Sequence, residues 1–418
     1  MQRKLIVVSM DALVYEDLAY LSQKPSFGWL MEKGAMVRRV RSIYPTLTYP
    51  CHATMATGCL PKKHGVVNNT HFAPGVVDSP WLWFHEVYRV RDIFDACKEK
   101  GLSTASIGWP STGNHPNIDY LVGEIACTSA KTEEEFYRDY TLTGTPRALW
   151  GAVCAPNVHY RTYFRSPAAF NAAVCRDIIR LYAPDLVMLH VGEPDHSRHG
   201  HGVFSRKLEP ALDMCEWVLT QLLQAIRDSG AEDAYNLVIT ADHGQLDTTR
   251  TVCPNVLLAQ NGFLDVDQGG KVTNWRAWSH SVGMCATVYV KDPADEPAVY
   301  ALLKAHLGQG YSRIYTQEEA AKEGFAGDFA FVLETDGQTA FKDTFTGEYM
   351  IELGTVMGSH GFHPDKGPRP TLIGVGPVFR TGVVLETADL VDGAPTWAAI
   401  LGTDLPDADG KILDALLK

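Results

Sequence analysis

The 418-residue chain is 45% apolar and 21% charged, with 36 Gly and 23 Pro, a composition that excludes collagen-like, coiled-coil and disordered classes. Its 37 basic and 49 acidic residues leave a net charge of −12, so there is no overall attraction for nucleic acid polymers or anionic membranes. An anionic substrate therefore needs local positive charge, such as metal ions.

At about 150 residues per domain, the length allows two or three lobes, or one large α/β unit with insertions. The apolar N-terminal run ends at Asp11, too short for a signal-peptide core. No run of 18 uncharged apolar residues predicts a transmembrane helix. Nine scattered cysteines, an odd number without C-x-x-C, predict reduced, mostly buried thiols. A soluble, cytoplasmic protein is the expectation.

In chain order, apolar runs predict strands at Leu5–Ser9, Ser103–Gly108, Leu186–His190, Leu237–Thr240 and Thr371–Val375. They are almost continuously apolar, as parallel strands covered on both faces should be. Helical periodicity marks Val90–Lys100, Ala168–Leu181 and Glu209–Arg227. This alternation predicts an α/β fold with a doubly wound, mostly parallel sheet, whose ligands bind beyond the strands' carboxyl ends. Two stretches break it. Residues 113–167 read as an irregular insertion, and residues 258–355 as a small inserted α+β lobe. The lobe has a strand at Ala286–Lys291, a helix at Glu296–His306 and a hairpin over Val332–Phe341 turning at Asp336-Gly337. Residues 1–257 together with 356–418 make up the main domain.

Chemistry-bearing residues follow the strands. Asp11 comes after the first, Asp195-His-Ser-Arg-His199 after the third, Asp242-His243-Gly244 after the next, and Gly-Ser-His360-Gly late in the chain. Three carboxylates and three imidazoles in Gly-rich loops suit zinc, with oxygen and nitrogen ligands and no thiolate required. Each such residue taken alone also reads as an ordinary loop residue. His196, His201 and His363 neighbour the proposed ligands, and spacing does not exclude them. His64, His190, His280 and His306 read as structural.

The segment Pro45-Thr-Leu-Thr48-Tyr-Pro50 precedes a helix expected to end near Gly58. Thr48 reads either as its N-cap or as a nucleophile whose hydroxyl a metal activates. Asn69 reads either as a turn residue or as an amide donor to a phosphoryl oxygen.

Taken in order, Asp11, Thr48 within Pro-Thr-Leu-Thr-Tyr-Pro-Cys-His, Asp195-x-x-x-His199, Asp242-His243-Gly and His360-Gly resemble the nucleotide pyrophosphatase/phosphodiesterase family. That family belongs to the alkaline phosphatase superfamily, and the similarity spans essentially the whole chain. The resemblance implies an alkaline-phosphatase-like fold and a two-zinc site. One zinc would take Asp195, His199 and His360, and the other Asp11, Asp242 and His243. Thr48 would lie between them as nucleophile and metal contact, Asn69 would complete the phosphoryl site, and Tyr49 would stack on the leaving-group or nucleobase portion. The implied substrate is a small-molecule phosphodiester or nucleotide, cleaved through a phosphothreonine intermediate. Two departures stand out. Ala12 follows Asp11 where the family commonly has Gly, and the secretion and disulfide signs of many members are missing.

The rival within the superfamily is a phosphonoacetate-hydrolase-like C–P hydrolase, with Lys62, Lys63 or Lys131 as candidate carboxylate donors. A phosphomonoesterase, a phosphotransferase or mutase, and a zinc-stabilised binding protein without turnover are the further alternatives. Three carboxylates and a Thr48 alkoxide against two divalent cations give a neutral site, which favours a singly charged diester.

Overall fold

In the computed structural model, which describes residues 3–76, 79–125 and 128–418, eight strands form one central sheet. They are β1 (Lys4–Met10), β2 (Ala35–Arg41), β3 (Thr104–Ile107), β4 (Tyr120–Val122), β5 (Leu186–Val191), β6 (Tyr235–Thr240), β7 (Leu372–Val375) and β8 (Val384–Asp389). Their spatial order is β8-β2-β7-β6-β1-β5-β3-β4. β1 sits centrally, parallel to both neighbours, with Leu5 opposite Leu186 on one side and Asn236 on the other. Of the eight strands, β7 alone runs antiparallel to its neighbours β2 and β6. The doubly wound, mostly parallel sheet expected from the sequence is therefore present, with one expected strand reversed.

The six helices used below are α1 (Thr48–Thr57), α2 (Ile93–Glu99), α3 (Pro167–Tyr182), α4 (Asp195–His201), α5 (Glu209–Asp228) and α6 (Gly393–Leu401). Side chains of β1 alternate between two cores. Ile6, Val8 and Met10 join Phe170 and Val174 of α3 and Leu219 and Leu222 of α5. Leu5 and Val7 join Met55 of α1, Phe94 of α2 and Trp397 of α6. Each such fully buried aliphatic side chain contributes about 1.5–3 kcal/mol over exposure. The strand is clamped from both faces, and so is the position of Asp11 at its end.

Several expectations need correction. β2 carries Arg38, Arg39 and Arg41, so its apolar signal is diluted although one face is buried. β8 is an edge strand, mostly exposed, and its pattern is correspondingly weak. Residues 113–167 are more regular than expected. They supply β4 and an amphipathic helix, Glu133–Leu142, opened by a reciprocal Thr132/Glu135 cap.

Between β6 and β7 lies a four-stranded antiparallel sheet in the order Ala277–Ser281, Cys285–Val290, Phe331–Thr335 and Tyr311–Thr316. The strand and helix expected there are present, at Cys285–Val290 and Glu296–Ala305. The expected hairpin is not. The chain turns at Gly337 with φ +99°, but Thr339–Phe341 pairs in parallel with Leu246–Val252. Met350–Ser359 completes this small sheet, which therefore joins strands from both sides of the boundary expected at residue 258. All eight described cysteines are buried and unbridged, and Cys127 lies outside the described residues. No helix among the described residues is long and apolar enough to cross a membrane.

Candidate metal centre

Three adjacent parallel strands, β6, β1 and β5, deliver the carboxylates. Asp11 follows β1 directly, and its backbone N–H donates to Val191 O at the end of β5 (2.9 Å). The β5 loop returns to open α4 at Asp195, whose N–H donates to Asp11 O (3.0 Å). His199 lies one turn further along α4, so its Nε2 comes to 3.2 Å from Asp195 Oδ2. Asp242 and His243 leave the end of β6, and both are fully buried. His360 directly follows the long strand Met350–Ser359 and places Nε2 3.6 Å from Asp195 Oδ1.

The six donors fall into two sets, Asp195/His199/His360 and Asp11/Asp242/His243, each with ligand atoms within 4.8 Å of one another. His243 joins them. Its ring stacks on His360 with centroids 4.0 Å apart. Its Nε2 lies 3.1 Å from Asp242 Oδ2 and 3.5 Å from Asp11 Oδ1. Thr48 reaches the same nitrogen, with Oγ1 at 3.3 Å. The grouping matches the one the resemblance implied. Among the neighbouring histidines, His363 instead contacts Glu323 at 3.3 Å, and His196 and His201 are outside both sets.

The donor atoms fit divalent cations. Asp11 Oδ1 and Asp242 Oδ2 are buried without hydrogen-bond partners, an arrangement that costs free energy unless a cation satisfies it. Burial raises the Asp11 and Asp242 carboxyls well above the ordinary carboxylate range, and neighbouring acids push the same way. Burial also opposes ionisation of Asp195, but His199, His360 and His243 outweigh it and hold that carboxyl low. His199 is pushed up to about 9, burial opposing and Asp195 prevailing. Two imidazoles have their tautomers fixed from behind: Nδ1–H of His199 donates to Gly358 O (2.8 Å), and Nδ1–H of His360 to Thr46 O (3.1 Å). In both rings Nε2 is left as the ligand atom.

Supporting residues escaped the sequence reading. Gln245 Nε2 donates to Asp195 Oδ1, and His190, read as structural, brings Nε2 to 3.1 Å from Asp11 Oδ2. The fully buried Arg198, also on α4, pairs with Asp17 at 2.6 Å and donates to Ala12 O. Ala12 adopts φ +57°, the left-handed conformation that favours Gly, and its N–H donates to Asp242 Oδ1 (3.1 Å). The Ala-for-Gly departure is thus accommodated with the turn intact. The only sequence signal for His190 was its place at a strand's carboxyl end. Gln245 and Arg198 had none.

Thr48 is the first residue of α1, Leu47 is the N-cap, and no side-chain cap bond forms. The capping role is excluded, and the hydroxyl is left facing the donors. The helix ends at Gly58 with φ +71°, as expected. Asn69 accepts the Tyr49 backbone N–H (2.9 Å) on Oδ1. A backbone N–H requires an oxygen opposite it, so the Asn69 NH2 remains the available donor. Tyr49 is fully buried beside Ala53 and Val66, its ring 5.3 Å from Trp81 and its hydroxyl bonded to Glu124. The residue expected to stack on the leaving-group or nucleobase portion thus has its ring buried against these neighbours. A cavity of about 710 Å³ opens beside Asp11 and Asp195. Lys62, Lys63 and Lys131 do not line it, and Lys63 is held by Asp409 at 2.6 Å.

The Type I phosphodiesterase / nucleotide pyrophosphatase family profile matches residues 5–363, and the chain belongs to that family. Venom phosphodiesterase 2 of Crotalus adamanteus is 24% identical over 285 residues, covering 64% of this chain and 29% of the venom protein. Ectonucleotide pyrophosphatase/phosphodiesterase family member 3 of Rattus norvegicus is 24% identical over 271 residues, covering 64% and 27%. The chain thus spans less than a third of these relatives. Among solved structures, human ectonucleotide pyrophosphatase/phosphodiesterase 5 superposes with TM-score 0.72 at 18% identity, covering 100% of both chains. An inactive variant of the murine protein in complex with AMP gives 0.71 at 18%, also over 100% of each. These likenesses establish the alkaline-phosphatase-like fold.

Proposed function

We propose that the chain is a two-zinc phosphodiesterase of the nucleotide pyrophosphatase type, acting on small-molecule phosphodiesters or nucleotides through a phosphothreonine intermediate. The observation that carries this reading is the position of Thr48 Oγ1, 3.3 Å from His243 Nε2 where the two donor sets meet. Asp195, His199 and His360 would hold one ion, and Asp11, Asp242 and His243 the other. Bound there, divalent zinc supplies Lewis acidity that lowers the pKa of a hydroxyl or water and offsets the charge of the transferring phosphoryl group.

The remaining steps belong to the chain. Thr48 Oγ1 forms a bond to phosphorus in line with the departing alkoxide, which leaves and is protonated. Water then attacks the phosphothreonine, releasing the phosphomonoester and restoring the hydroxyl. Asn69 donates to a non-bridging oxygen as charge grows there, while Tyr49 N–H holds its amide in place. The α1 N-terminus favours the developing negative charge. The phosphonate alternative loses its candidate cations, since Lys62, Lys63 and Lys131 are away from the cavity.

The test is acid quenching of the zinc-loaded enzyme during turnover of bis-p-nitrophenyl phosphate. A phosphoryl group on the peptide bearing Thr48 is the expected result. Turnover with no such adduct under quench, together with full activity of Thr48→Ala, contradicts it. We also propose a reducing, cytoplasmic location, which the eight unbridged cysteines support; cell fractionation checks it.

A further inference from the structure

The cavity beside the metal centre has walls of opposite sign. Asp11, Glu193 and Asp195, from the ends of β1 and β5, make one wall acidic. The stretch leading into α3 makes another basic, with Arg161 and Arg165 both lining the cavity. Elsewhere in this chain of net charge −12, arginines pair readily: Arg41 with Asp365, Arg176 with Asp177 and Arg276 with Asp295. Arg161 and Arg165 have no side-chain hydrogen bond or ion pair among the described residues. Arg161 is nonetheless held in position, its guanidinium 4.9 Å from the centre of the Phe136 ring.

Two backbone features add to that wall. Arg165 adopts φ +53°, a conformation that costs a non-Gly residue free energy and persists where the surroundings enforce it. Directly after it, Ser166 caps the 16-residue helix α3 by accepting Ala169 N–H. Ser166, Pro167 and Ala168 line the same cavity, so the positive end of the α3 dipole faces it. Two of the acids at the cavity are already engaged. Glu124 takes the Tyr49 hydroxyl, and Glu193 accepts Ser197 N–H (3.3 Å). The guanidinium groups are not, and their planar forks suit phosphate or carboxylate.

We propose that this wall binds a second anionic group, a phosphate or carboxylate carried by the diester substituent that occupies the cavity, with Arg161 and Arg165 as its specificity-determining residues. The proposal rests on the phosphodiesterase reading above. The cavity, about 710 Å³, is of a size that takes a small-molecule substituent. A group bound away from the reacting phosphorus is held alike before and during reaction, so its loss falls chiefly on KM.

The test uses the zinc-loaded enzyme and matched p-nitrophenyl alkyl phosphodiesters whose alkyl chains, at several lengths, end in methyl, carboxylate or phosphate. The wild type should prefer a charged terminus. Arg161→Gln and Arg165→Gln should each lower kcat/KM for that substrate by about 10–100-fold, mainly through KM. Their effect on the methyl-ended ester should stay within about threefold. The terminus with the larger loss identifies phosphate or carboxylate. Equal losses on every ester would mean a purely structural role and overturn the proposal, as would no loss on any. If the wild type cleaves none of the esters, the phosphodiesterase reading fails by itself. The arginine claim is then read from calorimetric binding of the phosphate-ended and methyl-ended compounds, and equal affinities overturn it.

Discussion

Asn69 gives its side-chain oxygen to the Tyr49 amide, and that contact leaves NH2 as the donor end. Asn69→Asp separates the two jobs, because a carboxylate still accepts from Tyr49 N–H but has nothing to donate to a phosphoryl oxygen. Loss of one such donor typically lowers kcat by about 10²–10³-fold. The expected outcome is a fall of that order for bis-p-nitrophenyl phosphate with unchanged thermal stability, measured by steady-state kinetics and calorimetry. The histidines show what sequence carries at this scale. His243 and His360 were identifiable because each stands in a short Gly-flanked motif. His190 carries no such flag, and its meeting with Asp11 spans 179 positions, a contact that only the β1–β5 pairing creates. Tyr49 likewise sits in a legible motif, but its burial depends on Trp81 and Val66, which the motif does not encode.

Helix termini were legible where chemistry marks them. Asp92 caps α2 by accepting from Phe94 N–H and Asp95 N–H, so the helix begins at Ile93, three residues inside the start that periodicity suggested. The same carboxylate also holds His115 Nε2 at 3.0 Å. Asp92, Asp95 and His115 resemble a third donor set. Its carboxylates are satisfied internally, however, with the Asn117 side chain donating to Asp95 Oδ1 (2.8 Å) and the Phe94 and Asp95 N–H groups to Asp92 Oδ1. Burial works against protonation of His115, but Asp92 and Asp95 overcome it and raise its pKa. A raised histidine contributes stability that is fully present below its unfolded pKa near 6.5 and lost as pH rises through the folded value. His115→Gln should therefore cost more stability at pH 5.5 than at pH 8.5, measured by urea unfolding at both. An equal cost at both pH values would assign the role to packing alone.

At the scale of the molecule, the parallel sheet was legible because doubly covered strands are apolar throughout. The reversed β7 was not, because a strand's direction leaves no mark on its composition. Strand order brings the ends of β6, β1 and β5 side by side, and this turns three separated aspartates into one site. Arg198, buried with Asp17, ties the loop after β1 to α4. The cost of assembly is three carboxylates in one buried region, two of them held high by that burial. Protons and metal ions compete there, and the metal must also displace the proton that His199 keeps up to about 9 in the metal-free chain. The gap in Tm between zinc-loaded and chelated protein should therefore widen as pH rises from 6 to 9. Scanning calorimetry in metal-buffered solutions checks this, and a gap independent of pH would show that metal enters elsewhere.

The central claim is that six side chains from distant parts of the sequence gather metal around the Thr48 hydroxyl. Elemental analysis of purified Thr48→Ala, paired with its turnover of bis-p-nitrophenyl phosphate, tests it most directly. The expected result is wild-type metal content, about two ions per chain from two three-ligand sets, with activity reduced by at least about 10³-fold. A metal-loaded variant that stays fully active, or a wild-type chain that binds no divalent metal, contradicts the account.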